Sequence, residues 1–207
     1  MLGHMFFRRL IQLFVGLSLY GVSLALMLRA NLGLDPWDVF HQGLSHRLGW
    51  SIGTVVNVIG ALVLLLWWPL RQRPGLGTVL NVFVIGTAVD VTLKMLPEAH
   101  SMTERILLLP CGVALNAVAT AAYIGARFGA GPRDGLMTGL VRRTGRSVRV
   151  IRTGIELCVL AIGWLLGGSV GVGTVAYALL IGPLVQVLLP ILTVPEPRPA
   201  LHDATAP

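Results

Sequence analysis

The residues best placed to do chemistry in this sequence are carboxylates. The chain holds 9 Asp and Glu among 207 residues. Four of them, Asp38, Asp90, Asp134 and Glu156, fall within or beside long apolar runs. A carboxylate in such surroundings is costly unless it meets a counter-charge, a hydrogen-bond donor or a ligand. Each is therefore a candidate substrate or ion group, and Asp35, three residues before Asp38, joins them. Glu156 follows Arg152 by one helical turn, where an i, i+4 ion pair lowers the cost of both charges. Thr78 and Thr174 add hydroxyls within two Gly-x-Gly-Thr segments. Nothing here reads as an enzyme. No Ser/His/Asp or Cys/His set is present, no His/Cys/Asp spacing suggests a metal, and no Gly-Lys-Ser/Thr follows the glycines as in a P-loop. No cofactor is expected. Cys111 and Cys158 stand alone in apolar runs and are expected to pack.

These residues recur in register. Shifted by 96 positions, residues 30–97 align with 126–193 without a gap, with about 24 identities in 68 pairs. Gly33, Pro36 and Asp38 fall on Gly129, Pro132 and Asp134. Gly75, Gly77 and Thr78 fall on Gly171, Gly173 and Thr174. Compositional bias matches Leu, Val and Gly at random, but not Gly-x-x-Pro-x-Asp and Gly-x-Gly-Thr in one register, so the chain reads as an internal repeat.

Each motif has a plain structural reading beside a functional one. Asp35 suits a helix N-cap, Pro36 the first helical position and Asp38 the third, with Gly131, Pro132 and Asp134 in the same parts. On this reading capping is their whole role. The functional alternative has both helix starts facing a central cavity, where Asp38 and Asp134 bind a cation or a proton. The Gly-x-Gly-Thr segments read first as tight, closely packed turns with Thr capping. Their alternative is unwound backbone offered to a substrate.

The elements that position these residues follow from apolar run length. Runs at 10–28, 52–70, 76–96, 106–124, 150–166 and 172–192 each approach the roughly 20 residues of a membrane-spanning helix. Charged residues make up 12% of the chain against 55% hydrophobic, too few to cover a soluble globule, and the mean hydropathy is +0.78. Between spans, Pro36–Leu48 and Pro132–Thr144 are about 20 Å long as helices, too short for a hydrocarbon core of about 30 Å. They are expected to be interfacial or re-entrant. Three spans per half make the repeat inverted in the membrane. About 12 of the 16 Lys and Arg then fall on one side, which places both termini in the cytoplasm. The net charge of +7 is read as topogenic and as contact with anionic lipid headgroups, not with nucleic acid.

The paired Gly-x-x-Pro-x-Asp and Gly-x-Gly-Thr segments, set among these spans, resemble the YczE/YyaS/YitT family of bacterial integral membrane proteins. Residues 33–38 and 74–78 in particular look like the YczE branch. The resemblance implies a multi-pass protein of the bacterial inner membrane and no particular activity. YitT-type members often carry a soluble C-terminal domain, and residues after Pro195 are not expected to form one.

The sequence thus predicts an all-α membrane protein of six transmembrane helices, built as two inverted three-span repeats, each with a short re-entrant or interfacial helix. Residues 1–97 form the first repeat, 98–194 the second, and 195–207 a disordered cytoplasmic tail. The functional expectation is a small transporter or permease of an unknown solute or ion. The alternative is a non-transporting membrane accessory or regulatory protein, with a closed interior and carboxylates that merely cap helices.

Overall fold

The structure, a computed structural model, describes residues 2–195. The expected tail thus lies almost wholly outside the described residues. Eight helices follow in chain order: α1 (Leu2–Ala30), α2 (Pro36–Leu48), α3 (Ile52–Trp67), α4 (Leu76–Met95), α5 (Met102–Gly125), α6 (Pro132–Thr144), α7 (Val148–Leu165) and α8 (Val172–Leu192). The two short helices have the bounds that the sequence predicts. Asp35 caps α2 by accepting the Asp38 N–H at 2.9 Å, and Pro36 occupies the first turn. Gly49 ends α2 in the left-handed region at φ 69°, and Gly145 ends α6 at the same φ.

The long helices α1 and α5 pack against each other along the middle of the molecule. α4 lies on α1, and α8 lies on α5. α2 packs against α7, and α6 against α3. These last two crossings are close for complementary reasons. Gly163 of α7 receives the backbone of Val39 and Phe40 on α2, whereas Gly135 of α6 receives the Trp67 indole of α3. Position 67 aligns with 163, and 39 with 135. The glycine has therefore changed helices between the two crossings, which lets each pair of helices approach closely.

Among the described residues, four helices are long and apolar enough to cross a membrane: α1, α4, α5 and α8. A fifth crossing is reached if α2 and α3, which meet at 115°, count as one bent span. Length and apolarity alone thus mark four or five of the six spans that the sequence predicts. α3 has 16 residues, about 24 Å of helix, which falls short of the core thickness. α7 carries Arg149, Arg152 and Glu156 in its first half, which lowers its hydropathy. Large apolar side chains cover the outside of the bundle, among them Trp68, Phe83, Met95, Trp164, Val172 and Ile191. So wide an apolar surface matches a lipid environment rather than water.

Candidate functional site

The first turns of α2 and α6 arrive at the same place. Both open on a cavity of about 380 Å³ whose wall includes Asp35, Pro36 and Trp37 from one and Pro132, Arg133 and Asp134 from the other. α3 and α7 supply Gly60, Arg152 and Glu156, and α4 and α8 supply Asn81, Tyr177 and Gln186. Tyr20 of α1 and Tyr123 of α5 close it, so that all three tyrosines of the chain line one space.

Arg133 holds the centre. Its Nη2 donates to Asp38 Oδ1 at 3.2 Å, and its Nη1 lies 3.8 Å from Asp35 Oδ2. The guanidinium sits over the Trp37 ring, 5.1 Å from its centroid. His41 Nδ1 lies 3.1 Å from the same Asp38 oxygen. Asp38 is fully buried and Asp35 nearly so, and the Oδ2 atom of each has no hydrogen-bond partner among the described residues. On the α6 side, Asp134 accepts the Tyr123 hydroxyl at 3.1 Å. Trp67 Nε1 donates to the Pro132 carbonyl at 3.0 Å, which fixes the entry of α6. Arg152 Nε donates to Glu156 Oε1 at 2.8 Å, the i, i+4 pair that their spacing predicts.

Of the sequence candidates, Asp35, Asp38, Asp134 and Glu156 therefore come together in or directly behind one wall. Asp90 does not. It lines a separate, more open depression with Arg29, Gln42, Ser45, His46 and Lys94. There it accepts from the Ser51 hydroxyl at 2.6 Å and from the Gly53 N–H at 2.8 Å, binding the start of α3 to α4. Thr78 and Thr174 also lie away from the cavity. Thr78 Oγ1 accepts from the Gly75 N–H at 3.1 Å and donates to the Ala130 carbonyl at 2.7 Å, and Thr174 Oγ1 accepts from the Gly171 N–H at 3.3 Å.

The glycine turns interlock across the chain. The Gly77 N–H donates to the Phe128 carbonyl at 2.8 Å, and the Gly173 N–H to the Leu32 carbonyl at 2.7 Å. Gly33 (φ 111°) and Gly129 (φ 118°) turn in a region that side chains avoid, and each lies against the opposite Gly-x-Gly-Thr segment. These segments are structural clasps behind the two helix starts.

Sequence reasoning missed Arg133, His41 and the tyrosines. Arg133 stands between apolar runs, as a topogenic loop charge does. Its available signal was its position, one residue inside a Pro-x-Asp helix start. His41 aligns with Met137, so the repeat gives it no signal, and it is buried against Asp38. Cys111 and Cys158, expected to pack, are exposed on the outer surface.

An apolar exterior around a charged, buried centre defines an integral membrane protein. The chain belongs to a family of unknown function, DUF6198, whose profile matches residues 7–190. It is 39% identical over 180 residues to an uncharacterized protein of Haemophilus influenzae, covering 87% of this chain and 83% of that one. It is 37% identical over 180 residues to the uncharacterized membrane protein YczE of Bacillus subtilis, covering 86% and 83%. It is 25% identical over 181 residues to the uncharacterized protein YyaS of the same organism, covering 86% and 90%. No solved structure matches.

Proposed function

We propose that this chain is a small transporter or permease of the bacterial inner membrane, non-catalytic, with both termini in the cytoplasm. Its two halves are read as inverted-topology repeats whose pseudo-two-fold axis passes through the central cavity. The observation that carries this reading is the meeting of the α2 and α6 helix starts at one charged cavity. Short helices that end inside the molecule, with their N–H ends turned on a shared space, are the device by which repeat-built transporters hold a solute. Several aligned pairs supply that wall together: Pro36 and Pro132, Trp37 and Arg133, Gly60 and Glu156, Asn81 and Tyr177. In this reading α2 and α6 are re-entrant. The excess Arg near α6 and α7 meets anionic lipid headgroups on the cytoplasmic face. An accessory protein needs no interior space, and a cavity of about 380 Å³ weighs against that alternative.

Reconstitution into proteoliposomes tests the proposal. Flux of at least one small solute is expected above empty-liposome leak, with loss of most of it in Asp38→Asn and Asp134→Asn. No flux over a broad panel of charged and neutral solutes, with cells carrying both variants unaltered, ends the transport reading.

A further inference from the structure

We propose that the central cavity takes an organic cation, an ammonium group on a small apolar or aromatic body. The inference rests on the assignment of this cavity as the substrate site and adds its ligand class. Charge is the first argument. Asp35, Asp38, Asp134 and Glu156 bring four carboxylates in or directly behind the wall, and Arg133 and Arg152 bring two guanidiniums. With all six groups ionised, two negative charges are left over, in a place where uncompensated charge is costly.

The pairing shows where the excess lies. Arg152 is taken by Glu156, and Arg133 by Asp38 and Asp35. Asp134 has the Tyr123 hydroxyl and no ion-pair partner among the described residues. Asp35 lines the cavity at 3% exposure, and its Oδ2 atom has no hydrogen-bond donor among the described residues. An unsatisfied buried acceptor calls for a donor, and an ammonium N–H is one that also carries the missing charge.

The rest of the wall suits the body of such a ligand. Tyr20, Tyr123, Tyr177 and Trp37 give aromatic surface, which attracts cations as well as apolar groups. The volume equals roughly twelve waters at about 30 Å³ each, enough for a ring with a short amine arm. A carboxylate or phosphate ligand fits poorly. It would need Arg133, which already has two carboxylates and an indole, and it would add to the negative excess. A bare metal ion fits poorly too, since among the described residues no three His, Cys, Asp or Glu side chains converge as ligands.

Three probes of one shape and different charge test the class: benzylammonium, benzyl alcohol and benzoate, titrated by calorimetry into the full chain in lipid nanodiscs. Benzylammonium is expected to bind at least tenfold more tightly than either other probe. Asp134→Asn and Asp35→Asn remove charge with little change of shape, and Asn still caps α2. Each is expected to weaken benzylammonium at least tenfold, with unaltered gel filtration. Tighter binding of benzoate or benzyl alcohol overturns the cation class and leaves transport standing. Binding of none of the three, or full benzylammonium affinity in both variants, also overturns it. Charge-selective binding without flux in proteoliposomes supports the cation site and counts against transport. Should a variant fail to fold, the charge series on the unaltered chain decides.

Discussion

Arg133 and its carboxylates hold buried charge, so single substitutions among them are expected to be costly. The guanidinium is held by Asp38 at 3.2 Å and Asp35 at 3.8 Å, and the buried Asp38 also faces His41. Removing one partner strands the other, which is worse than removing both. A double-mutant cycle with Asp38→Asn and Arg133→Gln, read from unfolding in detergent, is expected to show a coupling of about 1–3 kcal/mol. Additive effects would mean that the two groups do not interact in solution. At this scale the sequence told half the story. Asp38 and Asp134 were legible because a charge in an apolar chain is conspicuous, and Glu156 because Arg152 stands one turn away. Arg133 was not, since an Arg between apolar runs looks the same whether it meets lipid headgroups or reaches inward. The tyrosines were silent for a related reason: they come from α1, α5 and α8, and only folding brings them together.

The short helices were the most legible elements, because Pro36, Pro132, Gly49 and Gly145 mark their ends through backbone sterics alone. What those helices pack against was hidden. α6 lies on α3 through Gly135 and Trp67, where an added methyl meets the indole. Gly135→Ala is expected to cost about 1–3 kcal/mol of stability in a detergent melting experiment, and Trp67→Leu in the same chain to recover part of that loss. Failure of the second substitution to help would show that the indole is not the obstacle, although some loss is expected from the Trp67–Pro132 hydrogen bond at 3.0 Å. The lengths of the helices behind the apolar runs were less legible. Apolar run length counted 52–70 and 150–166 as full spans, but α3 stops at Trp67 and α7 begins with charge. Composition measures a run, whereas a turn such as that at residues 68–71 cuts it short through local backbone geometry.

For the whole molecule, the 96-residue register was visible in the sequence, and in space α2 and α6 have equal bounds at that offset while α3 and α7, and α4 and α8, share their starts. Its orientation in a membrane is a separate question with its own measurement. Leu48 and Thr144 occupy aligned positions at the exposed ends of α2 and α6. With Cys111 and Cys158 replaced, Leu48→Cys and Thr144→Cys are expected to react with an impermeant maleimide from opposite sides of the membrane. Labelling of both from one side would remove the inverted arrangement. The contact between Trp37 and Arg133, 5.1 Å apart at aligned positions, carries one more consequence. In a pair of identical half-chains, like would face like there: an indole against an indole, or a guanidinium against its own charge. Joining the halves in one polypeptide lifts that constraint, so each could specialise. The ligand proposed for this cavity would then find one preferred way round rather than two equivalent ones, with its two ends told apart.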